Sequence, residues 1–208
     1  MDRQNIFPPQ FFKRYDEEDD ILFYKSPRRL IHVDNIAIKK LSEIFLSILP
    51  IKGVYLDLMS GWRSHLPQEL KPSRVIGLGL NLSEMAENPQ LDEYIIQDLN
   101  QNQSLVFREN EFDAVICTVS IQYLTKPVEV FKEVNRFLNP DGFFVVAFSD
   151  RFFSAKVIAG WMATSSQQRI QVVGRYFKNS NNWAWIKRNT FTPEHYDPLY
   201  VVWASKAK

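Results

Sequence analysis

The sequence predicts an α/β protein: a single doubly wound, mostly parallel seven-stranded sheet with an antiparallel terminal strand. Three observations predict it. Five short runs rich in β-branched or aromatic residues recur between polar, helix-prone segments: Gly53–Leu58, Arg74–Leu80, Tyr94–Leu99, Phe112–Ser120 and Gly142–Ser149. They are apolar on both faces, as strands buried between two helical layers are. Two further strand-like runs, Asn182–Thr190 and Leu199–Ala204, are joined by a loop too short for a crossover helix, so they should lie antiparallel.

The elements follow in order. Residues 1–31 mix charge, proline and aromatics without a period, and include the acidic run Asp16-Glu17-Glu18-Asp19-Asp20. They read as a leader wrapping the surface with short helical pieces, ahead of a domain spanning 32–208. From Asp34, apolar residues at Ile38, Leu41, Ile44, Phe45 and Ile48 form a helical stripe that Pro50 ends. Polar segments between the strands can supply crossover helices, so strand and helix should alternate five times. The clearest helix runs from Pro127 to Leu138, and Asn139-Pro140-Asp141-Gly142 then stops it and turns the chain. A later helical segment, roughly 154–177, should be interrupted around Thr164-Ser165-Ser166.

Composition bounds the partners. A net charge of +1, with basic residues only in isolated pairs, gives no electrostatic footprint for nucleic acid or an anionic membrane. The polar start Met1-Asp2-Arg3-Gln4-Asn5 is not followed by the apolar stretch a signal peptide needs, and no window approaches a membrane span. A soluble, cytoplasmic protein is expected. The one cysteine, Cys117, lies in an apolar run and reads as core; it leaves no internal disulfide or cysteine-rich metal site. The histidines His32, His65 and His195 are scattered along the chain and do not suggest metal ligation.

The most informative stretch is Gly53-Val54-Tyr55-Leu56-Asp57-Leu58-Met59-Ser60-Gly61-Trp62-Arg63. An apolar strand ends at a carboxylate and enters a loop, which is how a parallel strand meets a ligand at the carboxyl edge of a sheet. Nucleotide-type ligands usually require several glycines there, and only Gly61 is present. Further along, Arg74-Val75-Ile76-Gly77-Leu78 forms a second strand, Gln97-Asp98-Leu99 closes a third, and Phe112-Asp113-Ala114-Val115 opens a fourth. Gln122-Tyr123-Leu124 and Glu133-Val134-Asn135-Arg136-Phe137-Leu138-Asn139-Pro140-Asp141-Gly142 follow.

In that order, over roughly residues 32–206, these phrases resemble the class I S-adenosylmethionine-dependent methyltransferases of the small type-11 kind. The resemblance implies a Rossmann-like methyltransferase fold and S-adenosylmethionine as cofactor, with S-adenosylhomocysteine as product. It also implies cofactor contacts. Asp57 would order the loop near the amino acid portion, or it is a turn-stabilising carboxylate. Met59, Ser60 and Gly61 would supply loop backbone, with Ser120 following the fourth strand. Asp98 would accept from the adenine amino group, or it caps a turn, and Leu99 would line the adenine pocket.

Two departures from the family pattern stand out. Its three spaced glycines become Met59, Gly61 and Arg63, whose bulk should force the loop outward or narrow the site. The acid expected at the end of the second strand becomes Gly79, leaving Asn81 either to reach the ribose or to cap a helix in Asn81-Leu82-Ser83-Glu84.

For the acceptor side, Tyr123 follows the fourth strand and is either core or substrate-facing, while Asp150 and Arg151 follow the fifth and either face the ligand or pair with each other. Tyr24, Arg28 and His32 belong to the leader, as a lid over the cofactor or as solvated surface. No catalytic base stands out, and methyl transfer from a sulfonium needs alignment more than covalent chemistry. The expected function is therefore methyl transfer to a small-molecule acceptor. The alternative is a methyltransferase fold whose altered loop has lost the cofactor and which serves as a binding or scaffold protein. A dinucleotide enzyme is disfavoured, because a pyrophosphate needs the missing glycines more strictly.

Overall fold

The computed structural model describes residues 7–208. The polar start at residues 1–5 lies outside them. Seven strands form one sheet: β1 (Val54–Leu58), β2 (Arg74–Gly79), β3 (Glu93–Ile96), β4 (Phe112–Thr118), β5 (Leu138–Phe148), β6 (Trp183–Phe191) and β7 (Leu199–Lys206). Their order is β3-β2-β1-β4-β5-β7-β6. The first five are mutually parallel, and β7 inserts antiparallel between β5 and β6. The doubly wound sheet and its antiparallel closing pair are as the sequence predicts.

Among the described residues, six α-helices accompany the sheet: α1 (Asp20–Tyr24), α2 (Asn35–Ile48), α3 (Leu82–Ala86), α4 (Pro127–Phe137), α5 (Ala159–Met162) and α6 (Ser166–Ser180). Asp34 caps α2 by accepting from the Ile36 and Ala37 N–H groups, both at 2.9 Å. The expected interruption of the long helical segment falls between α5 and α6, where Ser165 and Gln168 form a reciprocal capping box.

The alternation of strand and helix is less regular than expected. Residues 59–73 between β1 and β2 contain only the short 3-10 turn Gln68–Leu70, and no helix joins β3 to β4. Pro67 and Pro72 restrict the first of these connections, since proline lacks the N–H that an α-helix interior needs. Strand β3 also ends at Ile96, so Asp98 and Leu99 stand in the connection that follows rather than on the strand.

The pleat divides the core in two. On one face, Leu56 and Leu58 of β1 join Phe131, Val134 and Phe137 of α4 and Val173 and Phe177 of α6. On the other, Tyr55, Val75 and Ile116 pack against Leu41, Ile44 and Phe45 of α2. Cys117 is fully buried in the first cluster. Phe131, Phe137, Phe144 and Phe177 are shielded from water, and each contributes roughly 1.5–3 kcal/mol relative to an exposed ring.

Residues 7–31 run across the carboxyl edge of the sheet. Phe7 packs 5.4 Å from Tyr176, and Arg14 pairs with Ile158 in an isolated antiparallel bridge. Beneath this segment lies a buried ionic hub. Both carboxylate oxygens of Asp20 accept from Arg14 (2.8 and 2.7 Å), and Lys156, wholly shielded from solvent, stands 3.2 Å from Asp20 and 3.1 Å from Asp16. Lys156 also donates to the Glu18 carbonyl at 2.7 Å. Buried charges persist only when paired and hydrogen-bonded in this way. Among the described residues, no helix is long and apolar enough to cross a membrane.

Candidate functional site

Strands β1, β2 and β4 are parallel, so their carboxyl ends share one edge, and the strand order reverses between β1 and β4. An open α/β sheet leaves a crevice at such a point. A cleft lies there, enclosing about 1080 Å³ of atom-free space counting its open mouth. Asp57, Met59, Ser60 and Gly61 bound it from the first loop, and Gly79 and Asn81 from the end of β2. Asp98, Leu99 and Ser120 complete that wall, and Tyr24, His32 and Tyr123 close the cleft from above. Asp150 and Arg151 do not line it. Asp150 accepts from Ser166 (2.6 Å) and Arg169 (3.0 Å), and Arg151 donates to Asp197 (2.8 Å). The two face α6 and the β6–β7 loop rather than the ligand edge or each other.

The first loop is held by hydroxyls on a buried acid. One oxygen of Asp57 accepts from Ser60 (2.6 Å) and from Ser64 (2.7 Å). Asn88 then donates to Ser64 (3.0 Å) and to the Gly61 carbonyl (3.1 Å). Burial pushes the Asp57 carboxyl up to about 6, although both hydroxyls favour its charged form. This geometry agrees with the turn-stabilising reading of Asp57.

Three residues around the cleft hold a left-handed backbone without being glycine: Met59 (φ 59°), His65 (φ 58°) and Val119 (φ 53°). For a β-branched residue such as Val119 this conformation is rare, and strain of this kind gathers at functional sites. Position 59 thus holds a glycine-type conformation with methionine in place. The loop is not forced outward. The Ser60 N–H donates to the Leu78 carbonyl at 2.8 Å, and a Cβ on Gly79 would overlap the Ser60 carbonyl. Gly79 is where the loop backbone crosses the end of β2, so no side chain fits there. Arg63 turns back over the Trp62 ring at 3.7 Å, and its guanidinium donates to the Trp62 carbonyl.

Asn81 lines the cleft as a helix cap. Its side-chain oxygen accepts from the Glu84 N–H (2.9 Å), while its amide donates to the Tyr24 and Lys25 carbonyls (2.7 and 3.3 Å). The capping box is only half made, because the Glu84 carboxylate accepts instead from the Arg28 N–H at 2.6 Å.

On the connection after β3, one oxygen of Asp98 accepts from the Asn100 N–H (2.8 Å), and the other is buried without a partner among the described residues. Burial raises its carboxyl above the usual range, with Asp20 and Asp19 adding to the effect. Asn100 links this connection to the ionic hub by donating to Asp20 at 2.9 Å. The hydroxyls of Tyr24 and Thr118 are likewise buried without partners, and burial raises Tyr24. The Tyr123 hydroxyl accepts from the Phe153 N–H at 2.8 Å. Arg28 lies over the Phe23 ring at 4.4 Å and the Phe153 ring at 5.0 Å.

Sequence reasoning missed several residues of this wall. His65 lines the same cleft as His32 although the two are far apart in the chain, and the His32 ring stands edge-on to Phe153 at 5.6 Å. Loss of solvation lowers His32 and takes His65 down to about 4, with His32 and Arg63 adding to the latter shift. Asp20 and Glu84 also line the cleft. The first was hidden in an acidic run and the second in a capping pattern. His195 is exposed on the β6–β7 loop. Among the described residues, no group of three histidine, cysteine or carboxylate side chains gathers to hold a metal ion.

Comparison with known proteins agrees with this architecture. A search of the curated proteins gives no match. The fold is similar to that of an S-adenosylmethionine-dependent methyltransferase from Aquifex aeolicus, with a TM-score of 0.59 and 15% identity over 97% of this chain and 100% of that one. It is similar also to such an enzyme from Mesorhizobium loti, with a TM-score of 0.54 and 17% identity over 79% and 96%. A Haemonchus contortus phosphoethanolamine N-methyltransferase, in complex with phosphomonomethylethanolamine and S-adenosylhomocysteine, gives 0.60 and 13% identity over 87% of this chain and 55% of that one. Residues 64–146 match the family model described as a methyltransferase domain. The chain thus has the class I methyltransferase fold, and residues 64–146 within it are similar to a methyltransferase domain.

Proposed function

We propose that the protein is a cytoplasmic S-adenosylmethionine-dependent methyltransferase acting on a small-molecule acceptor. The observation that carries this reading is the buried oxygen of Asp98, unpartnered among the described residues, on a residue that lines a cleft at the switch point of a methyltransferase fold. Unsatisfied buried acceptors are costly and are usually explained by a missing partner. An adenine amino group is a fitting donor, and Leu78 and Leu99 offer apolar surface for the ring. The unpartnered hydroxyls of Tyr24 and Thr118 add polar contacts suited to a nucleoside.

When bound, S-adenosylmethionine supplies an electrophilic methyl group on a sulfonium. The chain's part is to orient and dehydrate. Tyr24, Tyr123 and Phe153 form an aromatic roof that limits water. His32 and His65 also line the cleft, and burial holds both below the ordinary histidine range, which keeps the rings uncharged against a cationic sulfonium. The near-zero net charge favours a small acceptor over nucleic acid.

Calorimetric titration with S-adenosylhomocysteine tests the reading. Saturable binding is expected, and no heat at millimolar ligand with folded protein would overturn it. That outcome would favour the second reading, a binding or scaffold protein on a decayed fold, which the inward seating of Ser60 against Gly79 motivates.

A further inference from the structure

We infer that Glu84, on α3, is the carboxylate that receives the ribose hydroxyls of a bound nucleoside cofactor. The inference rests on the cofactor reading above and assigns the part of the cleft that the sequence leaves without an acid. An acid at the end of β2 would do this in related folds, but position 79 is closed to any side chain by the Ser60 carbonyl. The nearby Asn81 is engaged, its oxygen by the Glu84 N–H and its amide by two leader carbonyls.

The other cleft carboxylates are engaged or assigned elsewhere. Asp57 takes two serine hydroxyls on one oxygen and is wholly buried beneath the loop. Asp20 is locked between Arg14, Lys156 and Asn100. Asp98, on the connection after β3, is the carboxylate already assigned above to the adenine amino group.

Glu84 differs from all of these. It lines the cleft and is only partly buried. Its Oε1 is fixed by the Arg28 N–H at 2.6 Å, which orients the carboxylate without neutralising it. Its Oε2 takes no hydrogen bond among the described residues and stands 3.2 Å from where a Cβ on Gly61 would be. A carboxylate steered on one oxygen and free on the other, facing the glycine of the loop, suits a vicinal diol, whose two O–H groups donate to an anion.

The test compares S-adenosylhomocysteine with its 2′-deoxyribose analogue by calorimetry, on wild type and on Glu84→Ala and Glu84→Gln. Glu84→Ala should weaken S-adenosylhomocysteine by about tenfold or more, the range of a lost charge-assisted hydrogen bond. Glu84→Gln keeps an acceptor for Arg28 and should fall between. Removing the 2′-hydroxyl should weaken wild type by about tenfold and Glu84→Ala by less than about twofold. A merely structural role for Glu84 would leave the deoxy penalty undiminished in Glu84→Ala, and that result would overturn the inference while the cofactor reading stands. Absence of any S-adenosylhomocysteine binding to wild type would overturn both.

Discussion

Beside β3, Asp98 keeps an oxygen without a partner among the described residues, on a connection tied to the leader; beside β1, the loop from Met59 to His65 holds a single glycine and is seated against the sheet. The Asp98 connection is braced through Asn100 by the buried charges of Asp20, Arg14 and Lys156. The loop is braced by neutral hydroxyls on Asp57. The contrast shows that a loop with methionine in a left-handed conformation can be held against the sheet by a buried network of hydroxyls on one acid. The cost is local strain at Met59 and a position 79 that admits no acid.

Breaking the ionic brace should have the largest effect. Lys156→Ala removes a fully shielded ammonium from between Asp16 and Asp20 and should cost about 3–5 kcal/mol of stability, measured by urea unfolding. A change below about 1 kcal/mol would show that the hub does not brace the Asp98 connection.

The loop brace should reveal itself through pH. The Asp57 carboxyl sits at about 6 in the folded protein, above an unfolded value of about 3.9. Since the folded value is the higher one, the folded state prefers the protonated acid. The stability it contributes is full below about pH 4, declines as pH rises towards 6, and is lost above that, to a total of roughly 2–3 kcal/mol. Wild type should therefore lose more stability than Asp57→Asn between pH 4 and 7 in parallel urea titrations. Parallel profiles would contradict this.

Asp98→Ala should weaken S-adenosylhomocysteine by at least about tenfold in calorimetry while the thermal midpoint stays close to that of wild type. An unchanged affinity would remove Asp98 from the ligand end. The smallest effect belongs to Met59→Gly. Relief of the left-handed strain, about 1 kcal/mol, offsets the loss of the methionine's partial packing, so stability should stay within about 1 kcal/mol of wild type. Affinity for S-adenosylhomocysteine should rise, and a fall would mean that the Met59 side chain itself holds the ligand.

Much of the scaffold was legible in the residues. Strand β1 reads from Val54-Tyr55-Leu56-Asp57-Leu58, and α4 from the stripe Val128, Phe131 and Val134, because burial and periodicity act over a few residues. The break at Ser165 was legible for the same reason, since a cap is local chemistry. The connections 59–73 and 97–111 were less so, as their lack of a helix depends on what they pack against. Within the cleft, Asp57, Ser60, Gly61 and Asp98 could be named from strand ends. The sharing of one cleft by His32 and His65, the locking of Asp20 and the turning of Asp150 towards Arg169 could not, because each joins segments distant in sequence.

The sequence by itself determined the sheet, its antiparallel closure and the edge on which a ligand would lie, since these follow from alternating apolar runs and the lengths of their connections. Only the tertiary structure decided how the altered loop copes. The reason is steric and long-range: Gly79 is empty because the Ser60 carbonyl, nineteen residues earlier in the chain, passes over it, and Glu84 faces the cleft because the leader's Arg28 N–H holds it there.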